Sequence, residues 1–165
     1  MMNQLINTRQ AEILLVEDNE NDLELTRIGL KKSKLLLNLH HAKDGVECME
    51  FLRKQGAFAG APRPDLILLD LNMPRMNGRE VMAEILADEA LCTLPVIVLT
   101  TSTDDEEIVK MYKLRCNSYI AKPVDFEQFL RVVQSLADYW FTVVVLPPAP
   151  DAKEATAVPS ITRVG

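Results

Sequence analysis

Leu66-Ile67-Leu68-Leu69-Asp70 is an apolar run closed at its carboxyl side by a carboxylate, and three more stretches repeat the arrangement with other polar endings. Ile13-Leu14-Leu15-Val16 runs into Glu17-Asp18, Val96-Ile97-Val98-Leu99 into Thr100, and Tyr119-Ile120-Ala121 into Lys122. Short leucine-rich and β-branched runs separated by amphipathic helices read as parallel strands buried on both faces. Open parallel sheets place their sites at the carboxyl ends of the strands. Strands often end in polar residues, so one such junction is ordinary. Four together converge on a pocket holding three carboxylates, a hydroxyl and an ammonium.

Outward from these runs, the first strand spans about 12 to 16 and leads into a helix from Asn19 to Lys34, with Leu23, Arg27 and Leu30 at helical spacing. Leu37 to His41 reads as a second strand. Asp44-Gly45 opens a helix with Val46, Met49 and Leu52 inward, followed by a surface loop ending Pro62-Arg63-Pro64. After Asp70, Pro74 and Gly78 shape a turn into a helix capped by Asn77 and carrying Val81, Ile85 and Leu86. Leu94-Pro95 introduces the fourth strand, and Thr103 with Glu106 reads as a capping box, with Asp104, Asp105 and Glu107 as solvated charges at the helix's positive end. The fifth strand ends at Lys122-Pro123, and the last helix presents Phe129, Val132, Val133, Leu136 and Trp140 on one stripe. Five βα units force right-handed crossovers and a doubly wound α/β sheet with helices on both faces.

The 165 residues suit one domain: a lead over 1–10, a core unit over 11–146, and a Pro- and Ala-rich flexible tail over 147–165. Eighteen basic against twenty-four acidic residues give a net charge of -6 with no basic face, which argues against nucleic-acid binding. Cys48, Cys92 and Cys116 are odd in number and lack CxxC spacing, so they read as reduced, cytoplasmic thiols. No run approaches about eighteen apolar residues, so membrane spanning lacks support. His40 and His41 show no carboxylate pattern and read as ordinary strand residues; Met73, Met76 and Met82 read as a cluster at the pocket's rim.

Glu17, Asp18 and Asp70 in one cleft are costly unless a cation shares it or a carboxyl stays protonated. The donors are hard oxygens without His or Cys, which favours Mg²⁺ over zinc. Carboxylates around Mg²⁺ with Lys and Thr opposite are what phosphoryl transfer requires. Asp70 on the central strand is the natural acceptor and would become an aspartyl phosphate; Lys122 and Thr100 would contact phosphoryl oxygens, and the Asn72 backbone carbonyl could reach the metal.

Glu17-Asp18, Asp70-Leu71-Asn72-Met73-Pro74, Gly78, Thr100 and Lys122-Pro123, in that order, resemble the receiver domain of two-component response regulators over about residues 11 to 142. The resemblance implies a flavodoxin-like (βα)5 fold with strand order 2-1-3-4-5. It also implies phosphoryl transfer from a histidine kinase's phosphohistidine, slow self-dephosphorylation, and a cis Lys122-Pro123 bond. Tyr119 matches the family's switch aromatic, which swings inward when the Thr100 hydroxyl turns to the phosphoryl group. Thr101 departs from the small residue usual there. After Leu146 no output module fits, so a stand-alone receiver that changes protein partners is expected.

Tyr139, Trp140 and Phe141, followed by Thr142 to Pro147 with Val144 among them, form a run that either packs on its own sheet or associates with a second copy. This run, the Gln55 to Pro64 loop and Leu99-Thr100-Thr101-Ser102 resemble the small regulators paired with cyanobacterial phytochromes, which implies a phytochrome kinase partner and a homodimer. The competing enzyme reading, a Mg²⁺-dependent phosphohydrolase of the haloacid dehalogenase type, needs an acid two residues past the nucleophile, where Asn72 stands. A nucleotide-binding module would need a Gly-rich turn where Glu17-Asp18-Asn19 lies.

Overall fold

The computed structural model describes residues 10–150. The elements run β1 (Ala11–Val16), α1 (Glu20–Lys32), β2 (Leu37–Ala42), α2 (Gly45–Arg53), a short 3-10 turn (Gly56–Phe58), β3 (Leu66–Leu69), α3 (Gly78–Ala87), β4 (Val96–Thr100), α4 (Asp105–Lys113), β5 (Ser118–Ala121), α5 (Phe126–Asp138) and a closing π-helical turn (Tyr139–Val143). The strands form one parallel sheet in the order β2-β1-β3-β4-β5, so the expected flavodoxin-like arrangement is present. Most of the lead and most of the tail named above lie outside the described residues.

Alternation along the central strands splits the core into two layers. Leu14, Val16, Ile67, Leu69, Val96 and Val98 pack with Met49, Phe51, Val81, Ile85 and Met111 under α2, α3 and α4. Ile13, Leu15, Leu66, Leu68, Ile97 and Leu99 pack with Leu30, Phe129, Val133 and Leu136 under α1 and α5. Each such side chain removed from water contributes roughly 1.5–3 kcal/mol, which is what holds the strand ends in register. Gly29 allows α1 to lie against α5, because a Cβ there would come within 2.9 Å of Val133.

Helix starts follow local capping chemistry. Asn19, Asp44 and Asp125 each accept a first-turn amide, and Asn77 forms a full capping box with Glu80. The box expected at Thr103 does not form. Asp104 takes the cap position of α4 without a side-chain bond, and the residue three further on, Glu107, is engaged by Arg79 instead.

Other expectations shift for packing reasons. Met82 is a core residue, not a rim residue, while Leu86 lies off the buried stripe of Gly78, Val81, Met82 and Ile85 and is exposed. Val46 is half-buried, and α2 buries Cys48 and Phe51 beside Met49 and Leu52. The apolar run after α5 divides. Phe141 and Leu146 enter the layer under α1 and α5 with Trp140 against it, Val144 is half-buried, and Tyr139, Val143 and Val145 face outward.

Candidate functional site

The carboxyl edge of the sheet is held together by its own backbone. The Asp70 amide donates to the Val16 carbonyl at 3.0 Å, the Glu17 amide to Ala42 at 3.0 Å, and the Lys122 amide to Thr100 at 2.7 Å. These bonds bring the ends of β1, β3, β4 and β5 to one rim. Glu17, Asp70 and Thr100 are buried there, and Asp18 is exposed. Asn72 is exposed on the loop after Asp70.

Asp70 has two unlike oxygens. Oδ1 accepts the Leu71 amide at 2.8 Å, and Oδ2 faces the Lys122 ammonium at 3.8 Å. The ammonium lies closer to two other carboxylates, Glu17 Oε1 at 2.6 Å and Asp22 Oδ2 at 2.7 Å. Burial disfavours the ammonium, but the bonds from Asp22 and Glu17 and the charges of Glu17 and Asp70 outweigh it and hold its pKa above the ordinary value. For Glu17 the balance goes the other way. Burial, helped by the Asp70 charge, pushes its carboxyl up to about 7 against the pull of Lys122.

Glu17, Asp18 and Asp70 each offer an oxygen within 4.8 Å of the others. Adjacent and opposite ligands of a small octahedral ion at about 2.1 Å stand about 3.0 and about 4.2 Å apart, so a slight contraction of the cluster seats a hard divalent cation. Burial raises the Glu17 carboxyl, so proton uptake there is the other way to relieve three crowded anions, and a cation would remove the need for it. The arrangement thus fits the expected acidic centre.

Lys122 reaches these carboxylates with its bond to Pro123 in trans; among the described residues no peptide bond is cis. The expected cis isomer is therefore absent. The trans form is the lower-energy one, and placing the ammonium does not require the other.

Tyr119 is half-buried at the rim, with its hydroxyl donating to the Ser102 carbonyl at 2.9 Å and lying 3.4 Å from Glu107 Oε1. Thr100 Oγ1 accepts the Ser102 amide at 3.4 Å, so the expected switch pair shares Ser102. Thr101 is exposed.

Several contacts were invisible in the sequence reading. Asp22 was missed, and its one signal is an acid in the first turn of α1 directly after the acidic pair. Asp44 caps α2 and binds Arg75 Nε at 2.7 Å, while the Gly45 amide donates to the Met76 carbonyl at 3.0 Å. Burial raises the Asp44 carboxyl, but the bonds from Arg75 and the Glu47 amide hold it below its usual range. The histidines lie on β2 as expected, and each also has a partner. His40 Nε2 lies 2.5 Å from Glu12 Oε1 on the neighbouring strand, and His41 Nε2 donates to the Glu17 carbonyl at 2.6 Å. Glu107, expected to be solvated, is 12 % exposed and bound to Arg79 at 2.7 Å.

Comparison with known proteins gives a consistent result. Residues 13–134 match the response regulator receiver domain. The chain is 42% identical over 137 residues to response regulator Rcp1 of Synechocystis sp., covering 83% of this chain and 93% of that protein. It also resembles the crystal structure of the phosphorylated cyanobacterial phytochrome response regulator RcpA, with TM-score 0.82 and 41% identity over 84% of this chain and 99% of the other. The Mn²⁺-bound form of response regulator Rcp1 follows with TM-score 0.80 and 41% identity, over 83% and 99%. With the strand order, the convergent carboxylates and these matches in agreement, the chain belongs to the response regulator receiver domain family.

Proposed function

We propose that this protein receives a phosphoryl group on Asp70 from a histidine kinase and passes the signal on as a change in its protein contacts. The observation that carries this reading is the Lys122 ammonium 3.8 Å from Asp70 Oδ2, beside three carboxylates clustered within 4.8 Å. With Oδ1 occupied by the Leu71 amide, Oδ2 is the oxygen that attacks phosphorus. The Oδ2–P bond forms as the P–N bond of phosphohistidine breaks, and the departing imidazole takes up a proton. Lys122 balances the charge on one phosphoryl oxygen, and the Thr100 hydroxyl donates to another. Glu17, Asp18, Asp70 and the Asn72 carbonyl are the ligands we assign to Mg²⁺, which would supply charge neutralisation at the phosphoryl oxygens.

As Thr100 turns toward the phosphoryl group it leaves Ser102, and Tyr119, bound to the same residue, is free to move inward. We assign slow self-dephosphorylation to the same pocket. The receiver unit spans residues 11–146 in this reading, in a cytoplasmic setting that suits the free cysteines. Similarity to a phytochrome response regulator favours a phytochrome as the kinase. We assign a homodimer contact to the surface around Tyr139, Trp140 and Val144, with Phe141 supporting it from within. The phosphohydrolase reading finds no support, because Asn72 lacks the proton its second acid must supply.

Incubation of the full chain with acetyl phosphate and Mg²⁺, followed by intact mass, tests the acceptor. Wild type gains one phosphoryl adduct and Asp70→Asn gains none; equal adducts on both would refute the assignment.

A further inference from the structure

Lys122 has one short contact that belongs neither to the acceptor nor to the candidate cation cluster, and that contact is Asp22. We propose that Asp22 is a positioning residue for phosphoryl transfer, holding the Lys122 ammonium away from Asp70 in the unphosphorylated protein and setting how readily it reaches the phosphoryl group. The inference rests on the acceptor role of Asp70.

Distance gives the first argument. The ammonium sits 2.7 Å from Asp22 Oδ2 and 3.8 Å from Asp70 Oδ2, so it is parked, with a bond to exchange before it can serve the acceptor. The second is anchoring. The Asp22 amide donates to Asn19 Oδ1 at 3.0 Å, and its carbonyl accepts the hydroxyl of buried Thr26 at 2.8 Å. The backbone of Asp22 is therefore fixed at the start of α1, which keeps its short carboxylate within reach of the ammonium. The third is burial: the Lys122 side chain is 6 % exposed and that of Asp22 24 %, so water screens the pair incompletely.

Glu17 also binds the ammonium, but it is one of the three clustered carboxylates. With a cation held there, Glu17 has a second claim on its charge and Asp22 remains the carboxylate competing for the lysine. When acetyl phosphate is the donor, the Asp70 Oδ2–P bond forms as the P–O bond to acetate breaks. Asp22 enters neither bond. It acts through Lys122, whose ammonium must pass from one anion to another as charge grows on the phosphoryl oxygens.

Intact-mass time courses of the full chain with acetyl phosphate and Mg²⁺ test this. Asp22→Asn weakens the competing contact and is expected to raise the initial rate about three- to tenfold, less than a whole charge-assisted bond because the amide oxygen still accepts from the ammonium. Asp22→Glu keeps the charge and is expected to stay near wild type. Asp22→Ser, another first-turn residue, repeats the first measurement should the asparagine variant fold poorly. The second readout is the Lys122 side-chain ¹⁵N resonance in the metal-free protein, which is expected to shift in Asp22→Asn and to be largely restored in Asp22→Glu. An unchanged or lower rate in both neutral variants, or an unmoved lysine resonance, overturns the proposal. Asp70→Asn is run in parallel. If it stays unlabelled while the Asp22 variants behave as wild type, the positioning role alone fails; if it takes up phosphate as wild type does, the acceptor assignment fails and this role with it.

Discussion

Arg79 and Glu107 meet at 2.7 Å across α3 and α4, and the other oxygen of Glu107 lies 3.4 Å from the Tyr119 hydroxyl. Arg79 also donates to the carbonyl of Leu71, the residue after Asp70, at 3.4 Å. One guanidinium thus links the loop after Asp70 to the fourth helix and, through Glu107, to the aromatic at the rim. Removing it leaves a Glu107 carboxylate that is 12 % exposed without its cation. Arg79→Ala is expected to cost about 1–2 kcal/mol, more than a surface pair and less than a fully buried one. A urea midpoint within error of wild type would count against this.

Gly78 is required by close approach. A Cβ there would lie 2.5 Å from the Asp70 carbonyl and 2.8 Å from Leu71 Cα, both backbone atoms that cannot step aside. Gly78→Ala is expected to destabilise by about 1–3 kcal/mol and to slow labelling of Asp70, because the displaced atoms belong to Asp70 and the residue after it. Denaturant unfolding and the acetyl phosphate time course read the two effects separately.

Glu17 predicts an unusual pH profile. The unfolded chain releases this proton near the ordinary 4.5, and the metal-free folded chain near 7. Between those values the folded state binds more protons, so this group makes stability fall as pH rises through the window and level off above it. Glu17→Gln should flatten that slope in metal-free urea titrations. Magnesium bound at Glu17 would displace the same proton, so calorimetry in buffers of different ionisation heat is expected to show about one proton released per ion at pH 6 and fewer at pH 8.

The residues after α5 need point substitutions, not truncation. Cutting after Asp138 would remove Phe141 and Leu146, which are 2% and 8% exposed within the core, and so would unfold as much as it dissociates. Tyr139→Ser with Val143→Ser alters exposed positions only. In sedimentation wild type is expected to be dimeric and this double variant monomeric, with a melting temperature close to wild type.

Apolar period and polar strand ends made the sheet legible from sequence, since Leu66 to Leu69 and Val96 to Thr100 are strands wherever they are buried on two faces. The acidic trio, Thr100 and Lys122 were legible for the same reason: each closes a strand and sheet topology brings strand ends together. What escaped lies between elements. Asp22, Arg79, Glu107 and the Asp44 pair with Arg75 are set by how helices and loops sit on the sheet, and no spacing within one element encodes that. His40 illustrates the point: its partner Glu12 is 28 residues away and neighbours it only through the pairing of β1 with β2. The Thr103 box failed because the helix begins one residue later, with Asp104 and not Thr103 at the cap position.

The bond between Lys122 and Glu17 joins residues 105 positions apart. A ribosome that has made four of the five strands has therefore made a chain with Asp70 but without the Lys122 ammonium beside it. Competence to carry a signal arrives only when the last edge of the sheet docks, so an immature or partly unravelled copy is silent by construction.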